Sequence, residues 1–215
     1  MKQIFEGECY KVLHMPISGS KLSVATFANW EEGEKKPFGA DYLAKAGYSA
    51  FHVVPVENDW YQDDEILLAL NSISERIEGT TVGYGVSMGG FAALNFSSYL
   101  KLDRVVACSP QYSIDRNVVN FEWRWPAEAI RLSPFQHHYI HRLRGQNGIT
   151  ILYDHSHELD SQHVELIKQH VTVKSIDVPG SKHNVLGHFY QKGVLSEAVT
   201  QLLSTGGIER RLLDL

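Results

Sequence analysis

The sequence VGYGVSMGGFAAL, residues 82–94, joins an apolar, strand-like run to an alanine-rich, helix-like run. Glycine weakens both strands and helices, so a cluster of glycines at their junction needs a local reason. Residues 85–89 match the pattern G-x-S-x-G, with a predicted strand before them and a predicted helix after them. In that context the pattern forms a sharp turn. The motif therefore predicts that the Ser87 hydroxyl is held above the edge of a sheet.

The same turn suits Ser87 to act as a nucleophile. Side chains two residues to either side of the serine would crowd the turn, which explains glycine at positions 85 and 89. The helix that begins at Met88 brings backbone N–H donors and the positive end of its dipole to the place where an oxyanion develops during acyl transfer. The alternative is a tight turn with an incidental serine, and the flanking strand and helix favour the catalytic interpretation.

Strand-like and helix-like runs alternate along the rest of the chain. Apolar or β-branched runs predict strands over residues 9–15, 22–28, 48–56, 80–86, 103–109, 149–154 and 172–178. Helical periodicity predicts helices over residues 42–47, 63–79, 88–100, 161–170 and about 195–202. The alternation predicts an α/β fold, with a mostly parallel central sheet and helices on both faces.

Composition limits the classes of function. With 215 residues, 43% hydrophobic and 21% charged, the chain predicts a single domain over residues 1–215. The net charge of −5 and the lack of a long basic run argue against nucleic acid or a membrane surface as partners. Cys9 and Cys108 form no C-x-x-C pair, and no signal peptide or membrane span is expected. These features predict a cytoplasmic protein, and they leave its oligomeric state open.

The G-x-S-x-G turn and the order of the predicted elements resemble those of the α/β-hydrolases, over most of the chain. The resemblance implies the α/β-hydrolase fold and the chain order serine, acid, histidine. It also implies that His183, in a glycine-containing loop after the last predicted strand, is the general base. His188 is the alternative, but it lies nearer the following helix.

The acid is open between two carboxylates. The resemblance places it a few residues after the strand ITILY, where this sequence has histidine or serine, with Asp154 at the strand tip and Asp160 before the next helix. Asp160 or Ser161 also suits the role of helix N-cap, which a side-chain oxygen fills by accepting backbone N–H bonds. Asp154 is therefore slightly favoured as the acid.

The resemblance also implies a second oxyanion donor, besides the N–H of Met88, from the loop after an early strand. Here that loop begins at residues 28–30, which makes the backbone of Asn29 and Trp30 the candidates. No HGGG-type motif is present, and an ordinary polar loop is the alternative.

Residues 110–148 interrupt the alternation and predict a cap-like insertion over the site. Aromatic and arginine side chains can bind a sugar face or an anionic group. The candidates for substrate binding are Trp123, Arg124 and Trp125, together with Trp60 after the strand over residues 48–56. The insertion also contains Arg131, His137, His138, Tyr139, His141, Arg142 and Arg144. The alternative is an insertion that only packs and covers.

These features predict a serine hydrolase that cleaves an ester, a thioester or a related acyl bond through a Ser-Asp-His triad and an acyl-enzyme, without a cofactor. The expected substrate is a small-molecule or glycan-linked acyl ester, and acyl transfer would use the same residues. One rival is a non-catalytic accessory protein that binds a glycan or a partner. The other is a metal site in the histidine-rich loop, which is disfavoured because no motif such as HExxH accompanies it. Its candidate ligands are Asp154, His155, His157, Asp160 and His163.

Overall fold

One eight-stranded sheet organises the protein in a computed structural model that describes residues 1–143 and 148–213. The strands are β1 Lys2–Glu6, β2 Tyr10–Met15, β3 Leu22–Phe27, β4 Ser49–Pro55, β5 Thr80–Val86, β6 Arg104–Cys108, β7 Ile149–Tyr153 and β8 Lys174–Asp177. Their spatial order is β1-β2-β4-β3-β5-β6-β7-β8, and β2 is antiparallel to both of its neighbours. All pairs from β4 to β8 are parallel, which confirms the predicted architecture. Strand β1 has no counterpart among the sequence-predicted strands.

Helices cover both faces of this sheet. They are α1 Ala40–Ala46, α2 Glu65–Ser74, α3 Met88–Asn95, α4 Pro126–Leu132, α5 Glu158–Lys168, α6 Val185–Gln191 and α7 Leu195–Thr205. One buried apolar cluster contains residues of α2, α3 and α5, and a second contains residues of α1, α6 and α7. Because both faces are covered, all six residues of β3 are buried, as expected for a central parallel strand. None of these helices is long and apolar enough to cross a membrane.

The parallel register aligns the carboxyl ends of the central strands. Phe27 of β3 pairs with Gly85 of β5, and Val86 of β5 pairs with Cys108 of β6. Ligands bind at this edge of open parallel sheets. The loops that follow β3, β5, β6, β7 and β8 therefore meet at one place.

The insertion between β6 and β7 contains α4 and a short 3₁₀ turn, Ile140–Arg142. Ile114, Val119, Ala129 and Ile140 lie in the same apolar cluster as α3, so much of the insertion packs against the core. Arg144, one of the predicted members of the insertion, lies outside the described residues. The assignment of residues 1–215 to one domain stays a prediction.

Candidate active site

Ser87 occupies the turn between β5 and α3 with φ 52° and ψ −119°, a conformation that non-glycine residues rarely adopt. The flanking glycines make this turn possible. A Cβ at Gly85 would lie 2.2 Å from the carbonyl oxygen of Gly89, and a Cβ at Gly89 would lie 2.2 Å from that of Phe27. Both neighbouring atoms belong to the backbone, so neither can move aside. Close packing of backbone on backbone is therefore the local reason for the glycines.

We expect Gly89→Ala to destabilise the protein by more than an ordinary overpacking substitution, which costs about 1–3 kcal/mol. The new methyl group would force α3 away from β3. Thermal or urea unfolding measures the effect. Gly207→Ala is the matched control and should change stability little, because its Cβ would crowd only the flexible end of Lys174 and would be in ordinary contact with Thr205 Oγ1 at 3.5 Å. Equal midpoints for the two variants would contradict this account of the turn.

His183 lies in the loop after β8, and its Nε2 is 3.0 Å from Ser87 Oγ. Its Nδ1 is 2.8 Å from Asp160 Oδ2 and 3.0 Å from Asp160 Oδ1. A carboxylate only accepts hydrogen bonds, so Nδ1 must carry the ring hydrogen. The lone pair of Nε2 then faces the serine hydroxyl, which is the tautomer that a general base needs. His188, the alternative base, lies in α6 with its ring against Phe189.

The carboxylate that contacts His183 is Asp160, not the slightly favoured Asp154. Asp160 is fully buried in the first turn of α5. Asp154 instead accepts hydrogen bonds from the backbone and hydroxyl of Ser156 and from the backbone of Lys182, at 2.6 to 2.9 Å. The structure therefore corrects the sequence-based preference: Asp154 ties two loops together and does not contact His183.

Asp160 is not the N-cap of α5, the role that the sequence offered as an alternative for it. His157 is the N-cap of α5, and its side chain accepts from the backbone N–H of Asp160 at 3.4 Å. The hydroxyl of Ser161, the other predicted cap, donates to the carbonyl of His155. The carboxylate of Asp160 is therefore free to face His183.

The predicted oxyanion donors come from two segments, the start of α3 and the loop after β3. Met88 is the first residue of α3, so its N–H has no acceptor within the helix. The backbone of Phe27 and Ala28, at the end of β3, comes close to Gly89, and residues 29 and 30 follow directly. The N–H of Ala28 already donates to the carbonyl of Val53, which leaves Asn29 and Trp30 as the backbone candidates. The indole of Trp30 donates to Glu128 at 2.8 Å and so ties this loop to α4.

Arg124, a predicted substrate contact, instead forms ion pairs with two carboxylates inside the site. Its Nη1 is 2.9 Å from Asp160 Oδ1, and its Nε and Nη2 bond to Glu122. Nη1 also lies 3.0 Å from His183 Nδ1, but both atoms carry hydrogens, so this contact is not a hydrogen bond. Burial tends to raise the pKa of Asp160, but the hydrogen bond from His183 and the positive charge of Arg124 outweigh it and lower that pKa. Asp160 is therefore held ionised.

Behind Arg124 the buried row of polar groups continues to His163. The backbone N–H of Tyr112 donates to His163 Nδ1, so Nε2 carries the hydrogen and donates to Glu122 at 2.9 Å. Burial would raise the pKa of Glu122, but the hydrogen bonds from His163 and Arg124 lower it to about 2 from its ordinary 4.5. No pattern in the sequence indicated this network, because its members come from the insertion and from α5.

The low pKa of Glu122 predicts an acid-dependent loss of stability. Between pH 4.5 and 2 the unfolded carboxyl binds more protons than the folded one, so stability must fall as the pH falls through that window. Glu122→Gln cannot titrate. We therefore expect the variant to be less stable than the wild type at pH 7, where the partly buried Arg124 has lost a charged partner. The difference should shrink as the pH falls toward 2.

Urea unfolding at a series of pH values, followed by circular dichroism, measures this difference. Glu165→Gln is a control, because Glu165 forms an exposed pair with Lys168 and such pairs contribute little to stability. A difference between wild type and Glu122→Gln that stays constant from pH 7 to pH 2 would contradict the assigned pKa.

Two of the three predicted tryptophans pack against each other, and one of them, Trp125, lies beside His183. The ring of Trp125 is 5.9 Å from that of His183 and 5.2 Å from that of Trp60, between centroids. Trp60 is fully buried, and its indole nitrogen has no hydrogen-bond partner among the described residues. Trp123 is 68% exposed, so the structure does not bring it to the site.

Sequence reasoning missed Gln111. It is fully buried just after β6, and its Nε2 is 3.1 Å from Ser87 Oγ. A polar residue directly after the carboxyl end of a strand next to β5 is the one signal that could have indicated it.

The histidines of the rival metal site have separate partners. His157 caps α5, and His163 bonds to Glu122. Within residues 1–143 and 148–213 there is no group of three or more His, Cys, Asp or Glu side chains arranged to hold a metal ion.

Solved structures share this architecture. The capsule O-acetyltransferase of Neisseria meningitidis serogroup A has a TM-score of 0.68 at 14% identity, over 89% of this chain and 92% of that chain. Mouse alpha/beta hydrolase domain-containing protein 10 has a TM-score of 0.65 at 10% identity, over 96% and 99%. FphF, a fluorophosphonate-binding serine hydrolase of Staphylococcus aureus, has a TM-score of 0.58 at 13% identity, over 91% and 92%.

A scan against family models found no match, and a search of curated proteins found none either. The strand order, the serine turn after β5 and the structural neighbours agree with one another. The protein therefore has the α/β-hydrolase fold.

Proposed function

We propose that this protein is a serine hydrolase that cleaves acyl esters, with Ser87 as nucleophile, His183 as general base and Asp160 as the acid that orients the histidine. The observation that carries the proposal is the unbroken row from Ser87 Oγ through both nitrogens of His183 to Asp160, with contacts of 3.0 and 2.8 Å. A turn that only happened to contain a serine would not need a correctly tautomerised histidine backed by a buried carboxylate.

In the acylation step, His183 Nε2 takes the proton of the Ser87 hydroxyl as Oγ attacks the acyl carbon. The negative charge that develops on the acyl oxygen is stabilised by the backbone N–H of Met88 and by a second N–H from Asn29 or Trp30. His183 then gives the proton to the leaving alcohol, and the acyl group stays on Ser87. Asp160 stabilises the histidine while it is positively charged.

In the deacylation step, a water molecule gives one proton to His183 Nε2 and its oxygen bonds to the acyl carbon. The bond to Ser87 Oγ breaks, and Oγ takes the proton back from His183. If a hydroxyl group of an acceptor replaces the water, the same residues perform acyl transfer. That second candidate is favoured by one observation, the likeness in fold to a capsule O-acetyltransferase.

The aromatic rings at the site support a proposal for the substrate class. Trp125 is partly exposed beside His183 and can stack on a sugar face or an apolar group. Arg124 is paired on two sides with Glu122 and Asp160, so it is not free to bind an anionic group. We therefore propose a neutral small-molecule or glycan-linked acyl ester as the substrate.

A series of p-nitrophenyl esters of increasing chain length tests the proposal, because it needs no knowledge of the natural substrate. The proposal requires measurable turnover and inactivation by a fluorophosphonate. Adding hydroxylated acceptors such as oligosaccharides to the same assay separates the two candidates. Transfer would acylate the acceptor, whereas hydrolysis would release only free acid. A protein that neither turns over the esters nor reacts with the phosphonate would be the non-catalytic rival.

We expect Trp125→Ala to raise KM several-fold for a bulky or glycan-linked ester and to change KM for an acetyl ester far less. The reason is that loss of binding shared by substrate and transition state appears in KM. Trp123→Ala is the matched control: it removes the same ring, 68% exposed, from the same segment. Equal effects of the two variants on both esters would count against a binding role for Trp125.

A further inference from the structure

Gln111 contacts the reacting atom of the proposed nucleophile. The residue is fully buried, and its Nε2 lies 3.1 Å from Ser87 Oγ. His183 Nε2 lies 3.0 Å from the same oxygen. The Ser87 hydroxyl therefore has a base and a neutral amide as its two polar neighbours.

The orientation of the Gln111 amide follows from its surroundings. Nε2 is also 3.3 Å from the carbonyl oxygen of Ser109. If the amide were turned over, its oxygen would face that carbonyl, and two acceptors would oppose each other without a hydrogen between them. The carbonyl of Ser109 thus fixes Nε2 toward Ser87, and the two amide hydrogens go to Ser109 and Ser87.

The amide oxygen of Gln111 is left with no strong donor. It lies 3.5 Å from Ser87 Oγ, whose single hydrogen goes to the nearer His183 Nε2 at 3.0 Å. No other group in residues 1–143 and 148–213 donates to it. Because its one contact is long, this buried acceptor is poorly satisfied and is available to a donor that reaches Ser87.

We propose that Gln111 is a further catalytic residue, with one role in each half of the reaction. In acylation, its amide N–H donates to Ser87 Oγ, directs the hydroxyl hydrogen toward His183 and stabilises Oγ as the proton leaves. In deacylation, its amide oxygen accepts a hydrogen bond from the attacking water, through the hydrogen that does not pass to His183. This inference rests on the proposed role of Ser87.

The deacylating step balances with Gln111 in this role. Of the two water hydrogens, one passes to His183 Nε2, and the other stays on the water oxygen while it is hydrogen-bonded to Gln111. That oxygen bonds to the acyl carbon, and the bond from the carbon to Ser87 Oγ breaks. His183 returns its proton to Oγ, and the product leaves as the carboxylic acid. Gln111 itself neither gains nor loses a proton and forms no covalent bond.

Two substitutions separate the roles. Gln111→Met keeps the length of the side chain and removes both donor and acceptor, whereas Gln111→Glu keeps an acceptor and removes the amide donor. Fluorophosphonate labelling measures the reactivity of Ser87 Oγ. The burst and steady-state phases with p-nitrophenyl acetate measure acylation and deacylation separately. Gln62→Met is the control, because Gln62 is also buried and hydrogen-bonded, to Trp60 and His137, but does not contact Ser87.

We expect both Gln111 variants to label about tenfold more slowly, the scale of one lost hydrogen bond. Deacylation should be slowed more by Met than by Glu, so that the acyl-enzyme accumulates in Gln111→Met. Gln62→Met should lose thermal stability and keep its labelling rate. Wild-type labelling and deacylation rates in both folded Gln111 variants would overturn the role of Gln111 and leave that of Ser87 intact. A wild-type protein that neither labels nor turns over would overturn both.

Discussion

Ser87→Ala should lose esterase turnover by roughly 10⁴-fold or more, the scale seen when a triad nucleophile is removed. The substitution removes only the oxygen that forms the acyl bond. Alanine has to adopt the same backbone conformation as serine, φ 52°, and one hydroxyl contributes little to the surrounding core. The melting temperature should therefore change little. Initial rates with p-nitrophenyl acetate measure the loss, and mass spectrometry after fluorophosphonate treatment shows whether residue 87 is the labelled site.

Ser23→Ala is the matched control for this loss. Ser23 is also a buried serine in a strand, but it lies near the amino end of β3, away from the site. Its hydroxyl donates to the carbonyl of Glu78. The control should lose a little stability and keep its turnover and labelling. If Ser87→Ala were labelled as fast as the wild type, the assignment of the nucleophile would be wrong.

Asp160→Asn should lose most of the activity, on the order of 10⁴-fold in kcat. The asparagine amide has the shape of the carboxylate but offers an N–H as well as an oxygen. It can stabilise the wrong tautomer of His183, with the hydrogen on Nε2, and it no longer balances the positive charge that forms on the ring. Arg124 keeps Glu122 as a partner in this variant, so the fold should survive.

Asp154→Asn is the matched comparison and should stay within a few-fold of wild-type activity. Asp154 accepts from Ser156 and Lys182, so its loss should loosen two loops and appear mainly as a lower melting temperature. The sequence alone favoured the opposite result. Steady-state kinetics and thermal unfolding of the two variants decide between them. A large loss of kcat in Asp154→Asn with an active Asp160→Asn would restore Asp154 as the acid.

The sequence by itself determined the features that depend on near neighbours in the chain. The glycines at 85 and 89 mark a backbone turn whose close contacts leave no space for a Cβ, so the position of Ser87 could be predicted. The alternation of apolar strands and periodic helices similarly predicted the parallel sheet. A strand that is buried on both faces must be apolar along its whole length, and that pattern can be read from each strand alone. The resemblance to the α/β-hydrolases then implied a histidine in the loop after the last strand, where His183 lies.

Only the tertiary structure decided which polar groups meet at the carboxyl ends of the parallel strands. Asp154 and Asp160 are six residues apart and both plausible by sequence, but the packing of α5 turns Asp160 toward His183 and leaves Asp154 to hold Lys182. The packing of the insertion against α5 likewise places Arg124 in contact with Asp160. These contacts join segments that are distant in the chain. Their geometry depends on how helices and loops pack, and no local pattern of residues encodes that packing.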